Sequence, residues 1–286
     1  MFAAVDRTVD GMRGEEVART LWSLGNAHVA LPRRRFAVRV GAAVARTAAE
    51  MGPQAATHAL TGVARMPLPL PHRALAPLLA AVARTAPAAV GEDVVDVLWA
   101  HSVLTRTLEA PQRTPLLDRL VAAAPELEPR VVMNAFKLLA ELEEDLRHPG
   151  LRAALHAAAE RVAPEATAWH LGRIAAALVA MDEAALVPPP LRAALRAGAV
   201  RALPEARDVA VVALLLDALR GLLPAEGLRR DGELRGAAFA GLAEAAPAAE
   251  KAELLGARRA FADCGWEVPG GFAALFELSS SDSDDA

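Results

Sequence analysis

Arginine recurs along this chain at a nearly constant interval, and its side chain is suited to binding phosphate. Arg35, Arg73, Arg113, Arg152 and Arg192 lie 38, 40, 39 and 40 residues apart. The guanidinium group is a planar fork of hydrogen-bond donors that matches phosphate oxygens. A row of these groups, one per structural unit, predicts a track for a nucleic-acid backbone. The alternative is that they pair with acidic residues of neighbouring helices or are hydrated at helix ends.

A second, partial row accompanies the first and consists of Arg46, Arg84, Arg161 and Arg201. The pairs Arg35–Arg46 and Arg73–Arg84 are each separated by eleven residues. That separation is about three turns of an α-helix, so the two members of a pair would share one helix face. We therefore treat all nine arginines as candidates for contacts with RNA phosphates.

The residue types that usually carry catalysis or bind metals form no recognisable catalytic or metal-binding motif in this sequence. The seven histidines form no His-Glu-x-x-His motif, and no Walker or G-x-G-x-x-G loop occurs. Cys264 is the single cysteine, which excludes a disulfide framework and a cysteine-rich zinc site. The acidic cluster at residues 141–145 is more typical of a hydrated helix end. The sequence predicts a protein that is not an enzyme and holds no metal or cofactor.

The composition indicates which elements must position the arginines. Of the 286 residues, 54% are hydrophobic, and the chain has no tyrosine and one isoleucine. Alanine, leucine and arginine are the strongest helix formers, whereas residues that favour strands are scarce here. We expect an all-α protein. No apolar run approaches the ~18 residues that a membrane span needs, so no membrane partner is expected.

Short junctions divide the chain into units of similar length. They lie 38 to 41 residues apart, at Pro32, Pro71, Pro111, Pro149, Pro190, Asp231 and Pro269. A fixed period in this range indicates stacked supersecondary units. Each unit contains two helical stretches, of which the first is framed by arginines. The pattern predicts an α-α superhelix, or solenoid, of about six to seven helical hairpins of ~39 residues each.

Two local features of the hairpins are also predicted. In three units a Pro-Glu pair, at 125, 164 and 204, suits a helix start, because no amide donor is lost and the helix dipole favours the negative charge. A second proline in each unit marks the turn between its two helices. These prolines are Pro53, Pro87, Pro125, Pro164, Pro204 and Pro247. The second helices also carry bulky apolar pairs, and we expect their aromatic rings to pack in the core between hairpins. These pairs are Leu21-Trp22, Leu98-Trp99, Ala135-Phe136 and Ala260-Phe261.

The net charge of −4 conceals a separation of charge. When each unit is divided at its second proline, the first stretches are net basic and the second stretches net acidic. One helix of each pair usually lines the concave side of such a solenoid. If the first helices do so, they form a basic concave groove, and a groove of one sign attracts the opposite charge.

The chain divides into three segments. Residues 1–14 are interpreted as an N-terminal remnant of a first repeat helix, and residues 15–278 as the solenoid. Residues 279–286 form an acidic Ser/Asp tail with no apolar side chains to pack, for which disorder is the default. Asp6 and Asp10 interrupt the N-terminus early, so it does not resemble a targeting peptide.

The period, the hairpins, the Leu-Trp-Ser-Leu-Gly stretch at 21–25 and the three prolines at 188–190 resemble octotricopeptide-repeat proteins. The resemblance covers about residues 15–275. These helical-repeat proteins of green algae are related to FAST-kinase-like and RAP-domain proteins. The resemblance implies binding of single-stranded RNA, a transcript or ribosomal RNA, in a chloroplast or mitochondrion. The implied roles are RNA processing, stability, translation or ribosomal RNA organisation, with other proteins of a ribonucleoprotein complex as further partners.

A protein–protein scaffold of the HEAT, armadillo or TPR type is the alternative function. The two hypotheses differ in the groove that they require. A continuous positive groove favours RNA, whereas a neutral apolar groove favours a peptide or helix partner.

Overall fold

The computed structural model describes residues 5, 7–27, 34–67, 70, 72–105, 109–144 and 146–268, and their regular structure is entirely helical. The acidic tail at 279–286 and the last part of the predicted solenoid, residues 269–278, lie outside these ranges. Within them, no helix is long and apolar enough to cross a membrane. The chain forms two compact units. The first comprises the described residues up to 127 together with 141–154, and the second comprises 128–140 and the described residues from 155 onward.

The first unit stacks three helical hairpins in two layers. Its helices are α1 (Gly14–Asn26), α2 (Arg34–Thr47), α3 (Pro53–Arg65), α4 (His72–Thr85), α5 (Gly91–Leu104) and α6 (Ala110–Ala123). The first-helix layer consists of α2, α4 and α6, each packed on the next. The second-helix layer consists of α1, α3 and α5, which pack in the same way.

The second unit repeats this alternation. Its helices are α7 (Pro129–Glu141), α8 (Leu151–Val162), α9 (Ala168–Ala180), α10 (Pro189–Ala202), α11 (Val209–Leu222), a short α12 (Ala225–Arg230), α13 (Gly232–Ala245) and α14 (Lys251–Asp263). The second helices α9, α11 and α14 pack in sequence, and the first helix α10 packs on α13. The last residue of α7, Glu141, and the first four residues of α8 belong to the first unit. The prediction of an all-α fold built from stacked helical hairpins is confirmed within each unit.

The core of the second-helix layer follows from a spacing of four residues. In α1, α3 and α5, a small or branched apolar residue near the start is followed four residues later by leucine, and both are buried: Val17 and Leu21, Ala56 and Leu60, Val94 and Leu98. Residues four apart lie on one helix face, so one face of each helix is apolar. In α7 the corresponding pair is Val132 and Phe136.

Helices α1 and α3 approach each other at two glycines. A Cβ atom added to Gly62 would lie 2.5 Å from the carbonyl carbon of Leu21, and one added to Gly25 would lie 2.4 Å from the carbonyl oxygen of Gly62. Only glycine allows two backbones to pass at such a distance, because it has no Cβ atom. The glycines at 25 and 62 therefore set the spacing of these two helices.

The second prolines lie at the turn between the two helices, as predicted, but the Pro-Glu pairs at 125, 164 and 204 do not start the second helix. Pro87, Pro125, Pro204 and Pro247 lie instead in a one-turn 3-10 helix that follows the first helix, and Pro53 alone of the six begins an α-helix. A 3-10 turn accepts proline at its start for the same reason that an α-helix does: the first N–H has no intrahelical partner. In four of these units a buried residue with extended backbone then leads into the second helix: Met51, Ala89, Leu127 and Ala206.

The expectation for the aromatic residues was correct for phenylalanine and wrong for tryptophan. Phe136 and Phe261 are fully buried. In the pairs Leu21-Trp22 and Leu98-Trp99, the leucine is fully buried and the tryptophan is half-buried at the edge of the core. Phe136 follows Leu98 by 38 residues, so the phenylalanine occupies the position of the leucine. A shift of one residue turns a side chain by about 100° around the helix.

Candidate nucleic-acid interface

The first-helix layer of the first unit is strongly basic. Helices α2, α4 and α6 contain eight arginines and one acidic residue, Asp118. The second-helix layer of the same unit contains five acidic residues and two arginines. The predicted separation of charge is therefore present within this unit, and its positive side is the first-helix layer.

The second unit does not show this separation when the helices alone are counted. Its first helices α8, α10 and α13 contain six arginines and three glutamates. Its second helices contain seven arginines and lysines against four acidic residues. The acidic residues that made the second stretches negative lie largely between helices, as do Glu143 and Glu144. The expectation of an acidic second layer was thus wrong for this part of the chain.

The second arginine row binds the backbone of the preceding hairpin. Arg46 Nη2 donates to the carbonyl oxygens of Val9 (3.3 Å) and Met12 (3.1 Å). Arg84 Nη2 donates in the same way to Ala48 (3.3 Å) and Met51 (2.9 Å). These carbonyls belong to the 3-10 turn of the preceding hairpin and to the extended residue after it. We call Arg46 and Arg84 the clamp arginines, because each joins two successive hairpins.

The same bond recurs further along the chain. Arg201 Nη2 donates to the carbonyl oxygen of Ala166, and Arg119 Nε donates to that of Ala89 at 2.5 Å. Arg119 lies one helical turn earlier in α6 than Arg46 and Arg84 do in α2 and α4. It belongs to the unit in which the second arginine row has no member. Arg161, the remaining member of the row, is exposed and also has an interaction partner. Arg46, Arg84 and Arg201 are exposed as well, so parts of their guanidinium groups still face solvent.

The members of the first row have different environments. Arg35 and Arg73 are exposed, and within the described residues neither has a hydrogen-bond or ion-pair partner. The side chain of Arg113 is 49% exposed but forms an ion pair with the buried Glu144. Its Nε and Nη2 atoms both contact Oε1 of that residue, at 2.9 and 2.7 Å. Arg192 donates to the carbonyl oxygen of Ala184 at 2.9 Å, and Arg152 is partly exposed and has a partner.

The surface between the two rows is made of small side chains. In α2 and α4 the exposed positions between the arginines are alanines: Ala42, Ala45, Ala76 and Ala80. Alanine has no hydrogen-bonding group and no ring on which a base could stack. The layer can therefore contact a phosphate backbone, but these positions cannot read bases.

A stack of rings and one guanidinium group crosses the second-helix layer of the first unit, and sequence reasoning missed it. The His58 and Trp22 rings are stacked with centroids 4.6 Å apart. The guanidinium carbon of Arg65 lies 4.5 Å from the centroid of Trp22 and 5.5 Å from that of Trp99. Arg65 also donates to the side chain of Asn26. The two tryptophans are 77 residues apart, twice the repeat length, and this spacing was the signal that could have revealed the stack.

A second group missed from the sequence lies at the start of α9. Trp169 is 40% exposed, and the guanidinium carbon of Arg173 lies 4.3 Å from its ring centroid. His170 accepts a hydrogen bond from the N–H of Thr167 through Nδ1 at 3.4 Å. Burial, together with the positive charge of Arg130, lowers the pKa of His170. The group thus combines an exposed indole ring with two arginines.

No group of three or more His, Cys, Asp or Glu side chains within the described ranges is arranged to hold a metal ion. Burial raises the pKa of the Cys264 thiol to about 11, which keeps it protonated and unreactive at neutral pH. Glu144, from the acidic cluster, is paired with Arg113. No protein-family model matches the chain, and no curated protein matches it in sequence.

Proposed function

We propose that this protein binds RNA through the first-helix layer of its first unit. The observation that carries the proposal is the charge of that layer, eight arginines against one acidic residue on three adjacent helices. A surface of one sign raises the local concentration of a polyanion, and arginine is well suited to phosphate. The resemblance to octotricopeptide-repeat proteins extends the proposal to RNA of a chloroplast or mitochondrion.

Contacts with phosphates would come from two kinds of arginine in this layer. Arg35 and Arg73 are exposed and have all their donors free to bind within the described part of the chain. The clamp arginines use one nitrogen for the preceding hairpin, which fixes the guanidinium group in place. Since the exposed side chains between the rows of α2 and α4 are alanines, these two helices bind the backbone without regard to sequence.

The test is a measurement of RNA affinity over a range of salt concentrations. Phosphate contacts of Arg35, Arg73 and the two clamp arginines predict that the logarithm of the association constant falls with the logarithm of salt concentration, with a slope of roughly −2.8 for a single strand. The double variant R35E/R73E should weaken binding to every RNA sequence and make the slope shallower by roughly 1.4. The matched control is K251E/R258E, a reversal of two charges at exposed positions of α14, which should leave the affinity nearly unchanged.

Two results would contradict the proposal. One is the absence of RNA binding at low salt, about 50 mM, which would favour the protein-scaffold function and a search for a protein partner. The other is an equal loss of affinity in R35E/R73E and in K251E/R258E, which would show that overall charge rather than this layer attracts RNA.

A further inference from the structure

We propose that Trp169 and Arg173 form a stacking site for one unpaired nucleobase of a bound RNA strand. This site lies on the second helices of the second unit, so it is distinct from the first-helix layer. The inference rests on the proposed RNA-binding function and adds a contact that depends on the base rather than on the phosphate alone.

The geometry of the pair is that of a stacking platform. The guanidinium carbon of Arg173 lies 4.3 Å from the ring centroid of Trp169. Arg173 has no carboxylate partner within the described residues, so the indole ring is the contact that holds it there. With 40% of its surface exposed, the indole retains a large area open to solvent. Aromatic side chains bind bases of any type by stacking, and an adjacent arginine contributes further.

The repeat does not require a large ring at this position. The residues in the corresponding first turns of other second helices are Gln54, Glu92, Arg130 and Ala210. These are polar or small residues, so the packing of the hairpins is achieved without an aromatic side chain there. Removing the exposed part of an indole ring from water is favourable, so a base stacked on Trp169 would gain free energy from that burial as well as from stacking.

The surrounding charge favours an anionic ligand. Glu128 and Glu165 precede α7 and α9 in the chain. The side chains shown to act at the site itself are basic: Arg173 lies over the indole ring, and the positive charge of Arg130 lowers the pKa of the adjacent His170. A basic peptide would be repelled by these side chains. A nucleotide offers a base for the indole ring and a phosphate for the arginines, and thus fits both features of the site.

The experiment compares two ligands of equal length and charge. One is a single-stranded oligoribonucleotide of mixed sequence, and the other is an abasic ribose-phosphate oligomer. We expect W169A to weaken binding of the base-containing RNA by about 5- to 100-fold, the range found when a stacking side chain is removed. Binding of the abasic oligomer should stay unchanged. The matched control is L255A, which truncates another exposed apolar side chain, at 43% exposure in α14.

A second readout uses fluorescence and a milder variant. Stacking of a base on Trp169 should quench part of the intrinsic emission of the wild-type protein, and W169F should lose that part while retaining the fold. An unchanged affinity of W169A for the base-containing RNA would overturn the inference, as would an equal loss for both ligands. If W169A does not fold, equal quenching in W169F and the wild type would overturn it instead.

The failure of this inference and the failure of the proposed function produce different results. R35E/R73E should reduce binding of both ligands, because that layer contacts phosphates. If R35E/R73E has no effect while W169A loses affinity for bases alone, the proposed first-helix layer is wrong and the stacking site stands. If R35E/R73E weakens both ligands and W169A weakens neither, the stacking site is wrong.

Discussion

The Arg65 side chain lies between two indole rings, and its contribution can be measured directly. Arg65→Ala removes cation–π contacts with Trp22 and Trp99 as well as the hydrogen bond to Asn26. We expect the free energy of unfolding to fall by about 1–2 kcal/mol, because the group is half-buried. Urea denaturation followed by tryptophan fluorescence measures this loss.

The conservative variant Arg65→Lys tests whether the planar group matters. Lysine keeps the charge but presents a compact ammonium group that cannot lie flat between two rings. We expect it to recover less than half of the lost stability. Full recovery would show that charge alone is sufficient and that the stacked arrangement has no energetic role.

The pKa of Asp93 gives a prediction for the dependence of stability on pH. Burial raises this pKa above its usual value near 3.8, and the nearby His58 opposes the shift. The folded state therefore binds the proton more tightly than the unfolded state does. The contribution of Asp93 to stability is most favourable below about pH 3.8 and is lost as the pH rises through the folded-state pKa.

The variant Asp93→Asn should remove this dependence. The difference in free energy of unfolding between Asp93→Asn and the wild type should become more positive as the pH rises from about 4, and then level off. Urea titrations of both proteins between acidic and neutral pH measure the difference. A difference that stays constant over this range would show that Asp93 titrates normally in the folded protein.

At the scale of elements, the two arginines of α4 should differ in how much they contribute to stability. Arg84→Ala removes the bonds to the carbonyls of Ala48 and Met51, and should lower the free energy of unfolding by about 1 kcal/mol. Arg73→Ala, on the same helix, removes an exposed side chain with no partner in the described chain and should change stability by less than about 0.5 kcal/mol. Thermal unfolding compares the two variants.

Both variants should weaken RNA binding, because both arginines contact phosphates in the proposed function, but only Arg73→Ala should do so at normal stability. Loss of Arg73 removes a phosphate contact without affecting the fold, so RNA affinity should fall in a variant of normal stability. If Arg73→Ala proves as destabilising as Arg84→Ala, the two rows have the same structural role, and the distinction drawn between them is wrong.

At the scale of the whole molecule, a destabilising substitution in one hairpin should affect only that hairpin and those packed against it, because each repeat contacts only its neighbours. Gly62→Ala would place a Cβ atom 2.5 Å from the backbone of α1, so α1 and α3 must separate. We expect a loss of about 1–3 kcal/mol, as for other overpacked contacts. Hydrogen exchange measured by mass spectrometry should show faster exchange in α1 and α3 and unchanged exchange in α11 and α14.

The control for this variant is Gly256→Ala in α14. Nothing lies within 4 Å of the Cβ atom that it would add, so the variant should be neutral or more stable by up to about 1 kcal/mol. Equally faster hydrogen exchange in all helices of the Gly62→Ala protein would contradict the expectation of a local effect. It would indicate that the protein unfolds as one cooperative unit.

Local patterns in the sequence determined the architecture of this protein. The interval between junctions predicted the hairpins, and the abundance of helix formers predicted an all-α fold, because helix formation and termination depend on residues close in the chain. The apolar spacing of the second helices likewise predicted which face is buried. For the same reason, the exact start of each second helix was missed: a 3-10 turn and an α-helix accept proline alike.

The tertiary structure decided what each arginine does. Arg73 and Arg84 are the same residue type, lie on the same helix and recur with the same period. Arg73 nevertheless has no partner in the described chain, whereas Arg84 binds carbonyl groups 33 and 36 residues earlier. The sequence cannot distinguish them, because the partner is a backbone group exposed at the turn of the preceding hairpin. The same holds for Arg65, Trp22 and Trp99, which meet only because three second helices lie side by side.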